Sequence, residues 1–177
     1  MDPVYTISII PTGMGAAGYT MPLPDNDEMF NTKNKMLEDI TTLLGGRVAE
    51  EIIFGDITTG ASNDIKRATE TARSMVMKYG MSEKIGLIAY GNDDDEVFIG
   101  RDLAHTRGYS EEVAREIDGE ISRIIRECHE NAESIIRENI GVLHSCAALL
   151  LEKEKIHREE FEALFTTEKE EVAKTNE

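Results

Sequence analysis

The 177-residue sequence has no tryptophan and only two cysteines, and aromatic residues make up 6% of it. Cys128 and Cys146 lie in helix-like apolar patterns rather than in a paired spacing, so they predict buried free thiols and no disulfide framework. Long apolar runs and a signal-peptide pattern are also missing, since a bilayer span needs roughly 20 apolar residues. We therefore expect a soluble chain in a reducing compartment.

Basic residues are scarce relative to acidic ones. Lysine and arginine number 19 against 35 aspartates and glutamates, which gives a formal net charge of -16. A surface this acidic repels phosphate backbones and anionic lipid, so nucleic acid is not an expected partner. Hydrophobic residues still make up 40% of the chain, enough for a globular core at this length.

The first part of the chain has a two-residue period. Residues 4–24 alternate apolar and polar side chains, and a glycine-rich turn separates two such stretches, which predicts a β-hairpin. The apolar faces comprise Tyr5, Ile7 and Ile9 in the first strand and Tyr19, Met21 and Leu23 in the second.

From about residue 32 the apolar period lengthens to three or four residues, which is typical of helices. We predict helices from about 32 to Gly55, from 64 to 79 with Gly80 as a stop, from a Ser110 cap to about 139, and around 142–153 and 158–165. The residues predicted to point inward are Met36, Leu37, Ile40, Leu43, Leu44, Val48 and Ile52, then Ile65, Ala68, Ala72, Met75, Val76 and Tyr79, then Val113, Ile117, Ile121, Ile124, Cys128 and Ile135.

The predicted fold is therefore mainly α, a helical bundle with a small N-terminal β-hairpin. We expect one domain over residues 1–165. Residues 166–177, "TTEKEEVAKTNE", have almost no apolar content and are predicted to form a disordered tail.

Two patterns suggest ligand sites that the context argues against. Residues 13–18 match G-x-G-x-x-G, but the chain continues as "YTMPLP", a strand with two prolines, where a dinucleotide site needs a helix. A Walker-type phosphate loop is absent. The acidic run from Asp93 to Glu96 is compatible with a cation site and, more simply, with a solvated turn.

Asp64 lies at the start of the second predicted helix, within "TTGASNDIKRATETAR". From spacing alone, it is a first-turn carboxylate of a helix capped by Ser62, where the helix dipole stabilises it by roughly 0.3–1 kcal/mol.

Seven stretches, in unbroken order, resemble the peptidase domain of FtsH, the membrane-anchored ATP-dependent zinc metalloproteases. They are "SIIPTG", "GYTMPLP", "LLGGRVAEEIIFG", "TTGASNDIKRATETAR", "YGMSEKIG", "EVFIGRDLA" and "YSEEVAREID". The resemblance covers roughly residues 3–165. It implies a zinc endopeptidase whose complete form is a hexamer that degrades unfolded and membrane proteins at the inner membrane, facing the cytoplasm.

The resemblance also implies a zinc site made by an H-E-x-x-H helix and a later aspartate. The four histidines, His105, His129, His144 and His157, include no pair four residues apart, and Glu133 occupies the position of a second histidine after His129. We expect the ligand helix and the general base to lie upstream of residue 1, and the chain to be an inactive fragment. ATP and the membrane would be bound only through segments outside this sequence.

Asp64 falls on the position that supplies the third zinc ligand in the family, within a matching "ASND". Glu50 is our candidate for a supporting contact to a ligand histidine, since it lies on the inner part of its helix. The alternative for Glu50 is a structural pair with Arg47 or Arg67, and Glu51 is expected to be solvated.

The hairpin has a structural reading, as a cap on the bundle, and a functional one. Its edge could hold an unfolded polypeptide by backbone hydrogen bonds, which accepts many sequences. A different class of function is also open: the chain could be a non-catalytic assembly or interaction domain of a hexameric ring.

Overall fold

The computed structural model describes residues 3–11, 18–23, 30–90 and 109–175, with side chains as far as residue 166. Within these residues there are five helices and a three-stranded antiparallel sheet, so the predicted mainly α fold with an N-terminal β-hairpin is confirmed. The chain forms two compact units. Unit one comprises Met1–Phe30 and Ile135–Glu177, and unit two comprises Asn31–Ser134.

Unit two contains helices α1 (Lys33–Phe54) and α2 (Ser62–Met77) and most of α3 (Glu111–Glu138). Thr32 caps α1 by accepting a hydrogen bond from the Lys35 amide, and Gly55 ends it in the left-handed conformation with φ of 62°. The buried side chains of these helices follow the helical period. The core of unit two comprises Met36, Ile40, Leu44, Ala68, Ala72, Met75, Val76, Ile85, Ile117, Ile121, Ile124 and Cys128.

The ends of α2 differ from the prediction. Ala61, not Ser62, occupies the N-cap position, and Ser62 is the first helical residue. The helix ends at Met77, so Tyr79 leaves the helical period and is 55% exposed rather than inward. Gly80 adopts a φ of 60°, and a Cβ there would lie 3.2 Å from the Leu87 Cα atom, so a glycine is required just beyond the helix.

Helix α3 begins as predicted, because the Ser110 hydroxyl oxygen accepts a hydrogen bond from the Val113 amide at 3.3 Å. The predicted inner face of α3 is buried as far as Cys128. Ile135 was predicted on the same face, but it is 40% exposed, because the last buried residue of the helix is Ala132, which is 3% exposed. Glu120, which the apolar pattern did not single out, is also buried on this face.

Unit one contains strands β1 (Val4–Ser8), β2 (Tyr19–Pro22) and β3 (Lys155–His157) with helices α4 (Ile140–Lys153) and α5 (Arg158–Thr175). The strand order is β2-β1-β3, and both pairs are antiparallel. Strand β3 was not predicted. Its central residue, Ile156, is completely buried and lies opposite Ile7.

The register places the apolar residues of the two hairpin strands on opposite faces. Met21 pairs with Thr6 and Tyr19 with Ser8, and directly paired residues share a face. Ile7 packs against the core of unit one, which comprises Cys146, Leu150 and Ile156. Tyr5, Ile9, Tyr19, Met21 and Leu23 are all exposed.

The two polar residues of β1 are buried instead. Thr6 and Ser8 are 1% and 3% exposed. The Thr6 hydroxyl is 3.1 Å from the His157 Nδ1 atom, and the Ser8 hydroxyl donates to the Glu154 carbonyl at 3.4 Å. The hydroxyls are buried because β1 is the central strand of the sheet. Each has a hydrogen-bond partner, as buried polar groups need.

The backbone of α5 continues to Thr175, beyond the end near 165 that the apolar pattern predicted. Three glutamates and two lysines make up half of the extra segment, residues 166–175, and both residue types have high helix propensity without forming an apolar stripe. Cys128 and Cys146 are free and buried as predicted, and burial raises the pKa of both thiols. Among the described helices, none by itself is long and apolar enough to cross a membrane. Only α3 and α4 taken together have the length and composition that a membrane span needs.

Candidate functional site

Asp64 is the third residue of α2 and lies in its first turn. Its side chain is 46% exposed, and its nearest charged partner is Arg67, whose Nη1 atom is 3.8 Å from the Asp64 Oδ1 atom. At this position the carboxylate is stabilised by the positive end of the helix dipole. Because the ion pair is long and solvated, the Asp64 oxygens remain accessible to a further ligand.

The loop that leads into α2 is held by Glu50 on α1. The Thr58 hydroxyl donates to Glu50 Oε1 at 2.6 Å, and the Thr58 amide donates to Glu50 Oε2 at 3.2 Å. The hydrogen bond from the Thr58 hydroxyl is the main reason why the pKa of Glu50 lies below the ordinary glutamate value. The Thr58 amide and the charge of Arg47 lower it further.

Arg47 holds the same loop residue from one helical turn earlier. Its Nη2 atom donates to the Thr58 carbonyl at 2.9 Å, and the Gly60 amide donates to the Thr58 hydroxyl oxygen at 3.1 Å. A Cβ at Gly60 would lie 3.2 Å from that oxygen and 3.8 Å from Glu50 Oε1. The Thr-x-Gly spacing therefore suits a close approach of the loop to α1. We call Arg47, Glu50, Thr58 and Gly60 the loop cluster.

These contacts refine the sequence hypotheses for Glu50. Its hydrogen bonds go to Thr58, so of the two arginines in the structural alternative only Arg47 contributes, through its charge. Glu51, which was expected to be solvated, has a side chain that is 39% exposed, and its Oε2 atom is 3.0 Å from the Nε2 atom of His129 on α3. That pair joins α1 to α3, and nothing in the spacing of the two residues predicts it.

The described residues do not form a zinc site by themselves. Among residues 3–11, 18–23, 30–90 and 109–175, no group of three or more histidine, cysteine, aspartate or glutamate side chains could hold a metal ion. A catalytic zinc site needs three protein ligands and an open position. Asp64 therefore fits such a site as a single carboxylate donor.

Three sequence features fall wholly or partly outside the described residues: most of the glycine-rich stretch 13–18, the acidic run from Asp93 to Glu96, and His105. Gly18 is described. It is followed by β2, a strand, where the dinucleotide fingerprint would need a helix. A Cβ at Gly18 would lie 2.3 Å from the Ser8 carbonyl oxygen, so this glycine serves the close pairing of the hairpin.

Comparison with known proteins adds the family. Residues 1–164 match Peptidase family M41. The chain is 55% identical over 166 residues to ATP-dependent zinc metalloprotease FtsH 1 of Thermoanaerobacter sp. (strain X514), which covers 94% of this chain and 27% of that protein. It is 55% identical over 163 residues to ATP-dependent zinc metalloprotease FtsH of Caldicellulosiruptor bescii, with 92% and 26% covered.

The FtsH protein of Thermotoga maritima is 48% identical over 171 residues, with 97% of this chain and 28% of that protein covered. The chain thus spans about a quarter of the length of these relatives. The family match extends over nearly all of the sequence, including the loop cluster and Asp64. The chain therefore belongs to Peptidase family M41.

Proposed function

We propose that this chain is part of an ATP-dependent zinc metalloendopeptidase and that Asp64 is its carboxylate zinc ligand. The observation that carries the proposal is the placement of Asp64: a half-exposed carboxylate in the first turn of α2, whose ion pair with Arg67 is 3.8 Å long. The relatives named as zinc metalloproteases support it.

The remaining parts of the zinc site are proposed to lie outside these 177 residues. No two histidines in the sequence have the four-residue spacing that puts both on one helix face. The proposal therefore assigns the two histidine ligands and the general base to another segment of the complete protein. Zinc held by three protein ligands lowers the pKa of a bound water to about 7. We accordingly propose that the chain alone is inactive.

Unfolded polypeptide is the proposed substrate. Strand β2 is an edge of the sheet, because β1 is its only neighbour among the described strands. Such an edge can bind an extended chain by backbone hydrogen bonds. In the complete protein we propose a hexamer at the inner membrane facing the cytoplasm, with ATP and the membrane bound by segments outside this sequence.

The test uses the complete protein that contains this chain. Asp64→Asn keeps the size of the side chain but removes its charge, so zinc affinity and cleavage of an unfolded casein-like substrate should fall by at least about 100-fold. Asp118→Asn, an exposed residue of α3, is the matched control and should change neither. Full zinc content and full cleavage in Asp64→Asn would contradict the proposal and favour the alternative, a non-catalytic assembly domain.

A further inference from the structure

We propose that Thr58 is a positioning residue that fixes the start of α2, and with it Asp64, through the loop cluster. The inference rests on the proposed function for its consequence in catalysis. The structural part, that Thr58 controls the first turn of α2, can be tested without any metal.

Thr58 has an unusual number of partners for an exposed loop residue. Its amide and its hydroxyl both donate to Glu50, its hydroxyl oxygen accepts from Gly60, and its carbonyl accepts from Arg47. Every polar group of this residue is therefore engaged. Two of the partners, Arg47 and Glu50, lie one turn apart on α1, so Thr58 is fastened to a rigid helix.

The first turn of α2 has no capping side chain of its own. Ala61 is the N-cap residue and makes no side-chain hydrogen bond. It is buried, with 8% of its surface exposed. A helix start usually relies on a serine, threonine, aspartate or asparagine cap, which satisfies an amide of the first turn. Here the chain direction into α2 depends instead on the loop that Thr58 holds.

The path from Thr58 to Asp64 is short and continuous. The Gly60 amide is bonded to the Thr58 hydroxyl oxygen, the Ser62 amide to the Thr59 carbonyl at 3.1 Å, and the Ile65 amide to the Ala61 carbonyl at 3.0 Å. Loss of the Thr58 hydroxyl removes the first bond directly. The later bonds are affected only if the loop cluster sets the position of the turn.

The first experiment uses this chain and measures amide hydrogen exchange in Thr58→Val, which keeps the shape and the backbone groups of threonine. We expect exchange at Ser62 and Ile65 to become roughly fivefold faster, the effect of losing a typical hydrogen bond, and the Asp64 Cγ resonance to shift. Thr58→Ser retains the hydroxyl and should restore both readings.

Thr59→Val is the matched control. The Thr59 side chain makes no hydrogen bond to the part of the chain that the structure describes, and its carbonyl is kept in the variant. It should exchange like the unaltered chain. If Thr58→Val speeds exchange at Gly60 alone and leaves Ser62, Ile65 and the Asp64 resonance unchanged, Thr58 is a local contact and the inference is wrong.

The second experiment separates this inference from the proposed function. In the complete protein, a displaced catalytic group lowers kcat, so Thr58→Val should reduce kcat by roughly 10- to 100-fold with KM unchanged. Unaltered kcat in Thr58→Val beside an inactive Asp64→Asn would overturn the catalytic part of the inference and leave the proposed function intact. Full activity in Asp64→Asn would instead refute the proposed function, and the exchange data would still decide the role of Thr58 in the loop.

Discussion

Glu120 is a carboxylate on the buried face of α3, with 7% of its surface exposed. The Ser82 hydroxyl donates to it at 2.6 Å, and Arg123 donates from Nε and Nη2 at 3.1 and 3.0 Å. These bonds, with those from Arg123 foremost, hold the pKa of Glu120 below the ordinary glutamate value. Glu120 thereby connects α3 to the segment after α2, where Ser82 is also buried.

Replacing this charge should destabilise the protein in a pH-dependent way. We expect Glu120→Gln to lower the free energy of unfolding by about 1–3 kcal/mol at pH 7, since it weakens charged hydrogen bonds at a buried site. The native pKa is depressed, so the stabilising contribution is complete above the unfolded value and is lost as pH falls through the native one. The measurement is urea unfolding at pH 7 and in steps towards the acid limit.

Glu130→Gln is the control, because Glu130 is exposed on the same helix. Its stability should follow that of the unaltered protein at every pH. A Glu120→Gln deficit that stays constant down to the lowest pH would show that shape rather than charge explains the effect.

Some residue roles could be read from the sequence and others could not. Position 120 lies three residues after Ile117 and four before Ile124, so the helical period places it on the inner face, and Arg123 three residues later indicates a partner. That signal was present but carried by polar residues, which an apolar pattern ignores. The loop cluster gave no such signal, because Glu50 and Thr58 are joined only by the path of the loop.

At the scale of elements, the long helices were predictable because burial on one side imposes a period over many turns. Strand β3 was not, since one buried isoleucine between Lys155 and His157 is too short a pattern to distinguish from a turn. The ends of α2 were displaced by two residues because Ala61, a residue with no capping side chain, occupies the N-cap position. Helix capping rules fail where tertiary contacts hold the end.

Two glycines should respond in opposite ways to alanine. In Gly18→Ala the new Cβ would meet the Ser8 carbonyl oxygen at 2.3 Å, which backbone atoms cannot relieve without moving, so β1 and β2 should separate. Gly46 lies inside α1, and a Cβ added there would have no neighbouring atom within 4 Å, so Gly46→Ala should stabilise the helix by roughly 0.5–1 kcal/mol. Thermal unfolding and amide exchange in β1 measure both changes.

Equal stability of the two variants would contradict this contrast.

At the scale of the whole molecule, the chain by itself should not bind zinc stoichiometrically. Asp64 is the only ligand that the proposal assigns to it, and zinc sites with a single carboxylate are weak. We expect elemental analysis after gel filtration to find well below one zinc per chain. Casein-like substrates should remain uncut with zinc added, since the general base is also assigned elsewhere.

One tightly bound equivalent of zinc that is lost on Asp64→Ala would contradict this expectation. It would mean that two further ligands come from within these 177 residues. Chelator-sensitive cleavage by the chain would contradict the proposed inactivity in the same way.

The exposed apolar residues of the sheet should promote self-association. Tyr5 is 47% exposed, Met21 42% and Tyr19 38%, and β2 offers an edge as well. Leu44 and Val48 of α1 were predicted to point inward, and they are buried at 3% and 1% exposed, so they take no part. Light scattering should therefore show oligomers of this chain.

The double variant Tyr19→Ser with Met21→Ser should shift the distribution towards the monomer. The control double variant, Thr42→Ser with Thr69→Ser, should leave the distribution unchanged. A monodisperse monomer, with β1 and β2 amides as well protected as those of α3, would refute the prediction.

The antiparallel pairing of β1 with β3 also determines when unit one can form during translation. Thr6 and His157 are 151 positions apart, whereas unit two is one continuous stretch, Asn31–Ser134. At typical elongation rates of protein synthesis the ribosome needs on the order of 10 s to synthesise the chain between the two strands. The nascent β1 therefore waits with an unpaired edge while unit two folds, and this interval is when newly made chains are most exposed to aggregation and to chaperones.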